Sequence, residues 1–276
     1  MSEPFSVLMS VYKKENPNYL AQSIDSILNQ TLLAHEIIVV EDGPLPQQLK
    51  DILDEFCIKN ESVKLVKLEK NVGLGRALNE GLKYCKYSLV ARMDSDDIAK
   101  SNRFEKQINY LETHADVAVV GSNIDEFVGR DSNIVSARIV PENFEEIKKF
   151  SRRRNPLNHM TVIFRKEAVE YVGGYLHSKG FEDYYLWMRM INANFKIYNI
   201  QESLVNARTE ENFYDRRTGW GYFLAECHFQ NQLVKLKIIG LSEAIVNIVL
   251  RGGVKVIPSK IVKLIYKKKL HVKKPQ

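Results

Sequence analysis

Residues 88–97 read SLVARMDSDD. The first six are a short, mostly apolar run of strand length. The last four place three carboxylates, Asp94, Asp96 and Asp97, in four positions. Carboxylates this close repel one another unless they are well solvated or a cation neutralises them. Hard oxygen ligands at a strand end suit Mg²⁺ or Mn²⁺, which can bridge to phosphate oxygens. A second reading is equally open on spacing alone: a helix start with acids in its first turn, where the helix dipole favours them.

Upstream of that stretch the chain alternates strand and helix. Residues 5–11 (FSVLMSV) have strand length, and Asn16-Pro17 then reads as an N-cap followed by proline at the first helical position. Residues 36–40 (EIIVV) are a β-branched run suited to a strand buried on both faces. A helical pattern at Leu49, Ile52, Leu53 and Phe56 follows, then a strand over 63–68 and a helix through Leu74, Ala77, Leu78, Leu82 and Cys85. Short crossovers between such units predict a parallel sheet covered by helices, with ligands bound beyond the strand C-termini. The positions to watch are therefore 10–12, 41–43, 71–76 and 94–97. The second half is less regular: a helix at Phe104, Ile108 and Leu111, strands over 117–121 and 134–140, a turn into a strand over 155–164, and a helix over 181–191.

Glu41-Asp42-Gly43 is a second acidic strand end, read either as a turn or as a partner of the first across one crevice. Residues 71–76 (NVGLGR) do not make a dinucleotide fingerprint, because the third glycine position is Leu78 and the segment follows a third strand. They predict a tight turn into a helix, with Arg76 either near a ligand or in water. Phe181-Glu182-Asp183 opens a helical run, read as a cap or as a general base at a site mouth. His159 and His177 lack metal-ligand spacing.

The three cysteines, Cys57, Cys85 and Cys227, are odd in number and far apart, which disfavours a disulfide framework or a zinc knuckle and fits a reducing compartment. Residues 1–5 carry an acid and no basic leader, so no secretory signal is expected, and no apolar run reaches the ~18 residues of a spanning helix. The net charge is +6, but residues 251–276 hold nine Lys/Arg and no acid, leaving 6 − 9 = −3 for residues 1–250. A near-neutral body lacks the basic face of a nucleic-acid binder. A helix from residue 258 would set Ile261, Val262, Leu264 and Ile265 on one arc and Lys260, Lys263 and Lys267 opposite, a pattern suited to an anionic membrane surface, the other reading being a solvated basic tail.

Six segments, in order, carry a resemblance: 6–12 (SVLMSVY), 23–31 (SIDSILNQT), 36–43 (EIIVVEDG), 71–79 (NVGLGRALN), 94–97 (DSDD) and 181–189 (FEDYYLWMR). Together they resemble the family 2 glycosyltransferases of GT-A fold, in the subgroup that builds bacterial O-antigen and exopolysaccharide. The resemblance implies an α/β fold with a mostly parallel central sheet, helices on both faces and a C-terminal basic helical tail. Residues 1–240 would be the glycosyltransferase domain, with 1–100 as the nucleotide-binding half and 101–240 as the acceptor-binding half. Residues 241–276 would be the membrane-associating tail.

It further implies an inverting enzyme, dependent on Mn²⁺ or Mg²⁺, that moves a hexose (glucose or galactose favoured) from a UDP-sugar to an undecaprenyl-diphosphate-linked sugar. Such an enzyme would sit peripherally on the cytoplasmic face of the bacterial inner membrane. Ser10 and Tyr12 would line the uridine pocket, Asp42 would read the uracil and Arg76 would support the nucleotide. Asp94 and Asp96 would bind the metal and the donor, with Asp97 assisting, and Asp183 would be the catalytic base beside Glu182. The chain departs from the family at Glu41, where aspartate is usual, and at Lys13. Two rival classes stand beside this one: a nucleotidyltransferase acting on sugar phosphates, which would normally show a glycine-rich basic loop near its N-terminus, and a non-catalytic, membrane-associated sugar-binding domain, which needs no intact acidic triplet.

Overall fold

The computed structural model of the chain describes residues 2–209 and 219–253. Its elements run β1 (Phe5–Val11), α1 (Pro17–Leu28), β2 (Glu36–Glu41), α2 (Gln47–Lys59), β3 (Val63–Lys67), α3 (Leu74–Tyr84), β4 (Leu89–Arg92), β5 (Ile98–Ala99) and α4 (Arg103–Thr113). There follow β6 (Val117–Phe127), β7 (Ile134–Arg138), α5 (Phe144–Ser151), β8 (Ile163–Arg165), α6 (Lys166–Tyr171), α7 (Glu182–Asn192), β9 (Lys196–Arg208), α8 (Trp220–Lys235) and α9 (Leu241–Asn247). The helix predicted from residue 258 lies outside the described residues.

All strands belong to one sheet ordered β3-β2-β1-β4-β8-β6-β9-β5, with β7 paired to β6. β1, β2, β3 and β4 are mutually parallel, as the short crossovers predict. Beyond β4 the sheet turns mixed: β8 runs antiparallel to both β4 and β6, while β9 runs parallel to β6. Alternate strand residues serve opposite faces. Val7, Met9, Val39 and Ala91 meet α1, α2 and α4 through Ile24, Leu53 and Phe104. Leu8, Ile38, Val40 and Val90 meet α3, α6 and α7 through Leu78, Val169 and Trp187.

A third cluster joins α7 to α8 and α9, with Phe181, Tyr184 and Met188 against Phe229, Leu233 and Ala244. The boundary predicted at residue 240 therefore separates two segments that share a core: residues 241–253 are docked on the preceding helices. Local signals account for α1, where Asn16 Oδ1 accepts the Asn18 amide at 2.9 Å ahead of Pro17.

Candidate active site

The sheet register fixes the site. Leu8 pairs with Arg92 and Val11 with Glu41, so the C-terminal ends of β2, β1 and β4 lie side by side. Asp42 and the Asp94–Asp97 segment flank β1 at that edge, roughly 10 Å apart at two strand spacings. Ser10 is half-buried on β1, and Tyr12 is exposed just beyond it.

Asp42 is buried and already engaged. Its Oδ1 accepts the Val72 amide at 2.7 Å, and its Oδ2 accepts the Gly73 amide at 3.1 Å and Asn71 Nδ2 at 2.9 Å. A carboxylate can accept roughly four hydrogen bonds, so about one lone-pair site is left. The two loops pack tightly: Gly43 has φ +84°, and a Cβ there would lie 2.4 Å from the Asn71 nitrogen. Glu41, one residue earlier, is turned away. It is buried against Lys67 Nζ at 3.5 Å, on the neighbouring strand β3. Arg76 is exposed on the first turn of α3 and lines a shallow cavity of about 360 Å³ with Lys70 and Val72. It flanks the loop that Asp42 ties down and makes no hydrogen bond to the acidic triplet among those described.

The three acids do converge. Ligand oxygens of Asp94, Asp96 and Asp97 all lie within 4.8 Å of one another. Each is held differently. Asp94 pairs with the buried Arg92 guanidinium, and its carbonyl accepts Ser23 Oγ at 2.7 Å. Asp97 is buried and accepts the Arg208 amide at 2.7 Å. Asp96 makes neither kind of side-chain contact among the described residues. Burial, with Asp94 and Glu15 adding repulsion, pushes its carboxyl up to about 7. Burial also raises Asp97 well above the ordinary range. The donor set is hard oxygen with excess negative charge, which fits a small divalent cation.

Asp183 sits in the first turn of α7, half-buried, and accepts Asn155 Nδ2 at 2.6 Å. Phe181, just before it, stacks on Phe229 of α8 with centroids 4.8 Å apart, which fixes the helix start. Glu182 packs against the start of α3, where a Cβ on Gly75 would come within 3.2 Å of its Cγ. Burial raises the Glu182 carboxyl above its ordinary value.

Charges from both acidic groups act on Tyr175. Its buried hydroxyl meets His159 Nε2 at 2.8 Å. Burial is the main cause of its raised pKa, and the charges of Arg92, Asp183 and Asp94 all act on it. Asp94 and Asp183, far apart in the chain, thus lie within electrostatic range of one phenol.

Several residues of this site have no motif. Arg92 Nε and Nη1 are buried with no acceptor among the described residues. The signal was present: an arginine inside an otherwise apolar strand, two residues before Asp94. Glu15 accepts Ser95 Oγ and repels Asp96. Arg208 donates its Nε to the Asp96 carbonyl at 2.9 Å and lies 3.8 Å over the Tyr19 ring. Asn155 and Arg208 lie too far along the chain from their partners to be found by spacing.

Comparison with known proteins bears on this geometry. The model of the family described as glycosyl transferase family 2 matches residues 6–172. The amylovoran biosynthesis glycosyltransferase AmsE of Erwinia amylovora is 38% identical over 264 residues, covering 96% of this chain and 98% of that one. A UDP-Gal:alpha-D-GlcNAc-diphosphoundecaprenol beta-1,3-galactosyltransferase of Escherichia coli is 35% identical over 264 residues, covering 96% and 95%. The mannosyltransferase PcManGT from Pyrobaculum calidifontis, solved in complex with GDP-Man and Mn²⁺, aligns with a TM-score of 0.67 over 99% of this chain and 77% of that one. Its identity is 13%, so that likeness speaks for the fold alone. A family match that runs from β1 through α6, together with full-length relatives, agrees with the acidic strand ends described above: the chain belongs to glycosyl transferase family 2 and has the GT-A fold.

Proposed function

We propose that this glycosyltransferase moves a hexose, glucose or galactose, from a UDP-sugar to a sugar carried on undecaprenyl diphosphate, in O-antigen or exopolysaccharide assembly. The observation that carries the reading is the cluster of Asp94, Asp96 and Asp97 at the β4 end. The named activity of the Escherichia relative supports the substrate class, and the Erwinia relative's part in amylovoran biosynthesis supports polysaccharide assembly.

In this reading Ser10 and Tyr12 line the uridine pocket, and Asp42 offers its last acceptor site to the uracil while holding the loop that leads into α3 and Arg76. Asp96, with Asp94 beside it, would hold Mn²⁺ or Mg²⁺, which supplies Lewis-acid neutralisation of the leaving diphosphate. Asp97 anchors the cluster to β9 through the Arg208 amide. Asp183 takes the proton from the acceptor hydroxyl as it attacks the face of the donor sugar opposite the diphosphate, and the anomeric configuration inverts. Asn155 holds that carboxylate in place. Arg92 holds Asp94 through their ion pair.

The acceptor places the enzyme on the cytoplasmic face of the inner membrane, as a peripheral protein. Among the described residues no helix is long and apolar enough to cross a membrane. The lysines of residues 251–276 would add roughly 1 kcal/mol each at an anionic surface, falling with salt.

The test is a UDP-release screen of several UDP-sugars against a synthetic lipid-diphosphate-GlcNAc acceptor, with Mn²⁺ or with EDTA. Metal-dependent UDP release that needs the acceptor is expected. Release of inorganic diphosphate instead would turn the assignment to a nucleotidyltransferase. No turnover with any donor, and no metal-dependent protection by UDP against unfolding, would leave only a sugar-binding domain.

A further inference from the structure

Residues 241–252, α9 and the single π turn Ile248–Gly252 that continues it, are packed with their polar side toward the protein. Glu243 Oε1 accepts Arg152 Nε at 2.8 Å. Asn247 Nδ2 donates to the Arg152 carbonyl at 2.9 Å and to Gln230 Oε1 at 3.0 Å. Arg251 pairs at 3.2 Å with Glu226, which is fully buried. These three residues recur every four positions and make one inward stripe. The outward side carries Leu241, Ile245, Val246, Val249 and Leu250, each between 47% and 68% exposed. No charged side chain interrupts that face. Surface helices normally show the opposite polarity, with the apolar stripe inward. Trp220, 66% exposed, opens the neighbouring helix α8.

We propose that this outward face is a membrane-docking surface, which lies in the interfacial plane of an anionic phospholipid bilayer with its aliphatic side chains in the acyl boundary. Charge selects lipid over a protein partner or a second copy. The chain that follows, residues 254–276, carries eight lysines and no acid. Arg153, Arg154, Lys235 and Lys237 are exposed on the elements that border the face. An occupant that takes up aliphatic side chains and many cations at once is an anionic lipid surface. A second copy would bring the same excess of positive charge.

The inference deepens the proposed function and rests on its lipid-linked acceptor. Phe229 of α8 stacks on Phe181, two residues before Asp183. The docked helices and the candidate base therefore share one core, and a bilayer seated on the face sets the height of Asp183 above the lipid surface.

Full-length protein is floated on vesicles of phosphatidylcholine containing about a third phosphatidylglycerol, in low and high salt, beside vesicles of phosphatidylcholine alone. The double variant Ile245→Glu/Val249→Glu changes only exposed positions, so its thermal unfolding should match the parent. Its binding is expected to fall by about tenfold or more, whereas Ile245→Leu/Val249→Leu keeps parent-like binding. A second readout is quenching of Trp220 by lipids brominated along the acyl chain. The chain has two tryptophans, and Trp187 is fully buried, so quenching should vanish in Trp220→Phe.

Equal binding by the glutamate variant and the parent overturns the proposal. So does complete release in high salt with no quenching, which would leave only the lysine-rich segment at work. A dimer that the glutamate pair breaks, with no vesicle binding by either form, would assign the face to a second copy and equally overturn it. UDP release with a short-chain, water-soluble acceptor should be the same in parent and variant. Failure of that assay in both strikes the proposed reaction and leaves the docking surface standing.

Discussion

Replacing Asp42 by asparagine exchanges one carboxylate oxygen for an NH₂ group and removes the charge. In the parent, the two oxygens accept from Val72 N, Gly73 N and Asn71 Nδ2 at 2.7, 3.1 and 2.9 Å. Asparagine can keep the shorter bond to Val72, but its NH₂ then faces two donors. Hydrogen bonds to charged groups contribute about 1.5–3 kcal/mol each. Asn71 is exposed and can turn to water, so its bond is largely recovered. The Gly73 amide has less freedom, because Gly43 packs its backbone against Asn71.

The expected cost is therefore about 3 kcal/mol, which for a chain of this size lowers the unfolding temperature by about 6–12 °C. The loss should be local. Hydrogen exchange at the Val72 and Gly73 amides should speed up while the β1 and β2 amides stay protected. UDP affinity should fall as well, because the loop that leads into α3 and Arg76 loses its anchor. Measurement is by thermal unfolding with and without UDP, with exchange read residue by residue. An unfolding temperature within about 2 °C of the parent, with unchanged exchange at residues 72 and 73, would refute the view that Asp42 holds this loop.

Asp183→Asn is expected to abolish turnover while UDP binding, followed by calorimetry, stays near the parent value; near-normal turnover would remove Asp183 from the role of base. Asp96 carries a pH signature. Its carboxyl is pushed up to about 7 in the folded, metal-free protein, so its contribution to stability is fully present below the ordinary aspartate value near 4 and is lost as pH rises through 7. Asp96→Asn should therefore raise the unfolding temperature at pH 8 in EDTA and abolish the added stability that Mn²⁺ gives the parent; a lower temperature in EDTA would contradict the crowding of charge described here. In the parent, Mn²⁺ affinity should weaken as pH falls below about 7, because the ion must displace a proton; titrations at several pH values check this. Burial pushes the Cys85 thiol up to about 12, so a thiol reagent at pH 8 should spare Cys85 until the protein unfolds. Mass spectrometry of the labelled native protein would expose any early modification.

The parallel half was legible because its signals are local. An N-cap and proline start α1, β-branched runs make β1 and β2, and apolar residues at helical spacing define α3. Those patterns, with the rule that ligands bind beyond parallel strand ends, pointed to residues 41–43 and 94–97 and the edge they occupy; the choice of Asp42 over Glu41 came from the family resemblance. The short β5, the two short helices α5 and α6, and the long β9 had no comparable signature, since their partners come from elsewhere in the chain. β9, for example, is defined by pairing to β6, some eighty residues earlier.

Other assignments belong to tertiary structure alone. Glu41 and Asp42 are adjacent acids with equal claim by composition, yet the strand period turns Glu41 toward Lys67 and leaves Asp42 facing the loop at 71–73. Asp183 acquires Asn155 as partner from 28 positions away, and Asp97 acquires Arg208 from 111 positions away. Residues 241–252 carry Glu243, Asn247 and Arg251 at four-residue spacing among apolar residues, but Arg152, Gln230 and Glu226 decided which side faces in. The physical reason is common to all three cases. Periodicity records how a side chain is spaced along its own backbone, whereas the direction of a hydrogen bond or ion pair depends on which donor the fold brings opposite.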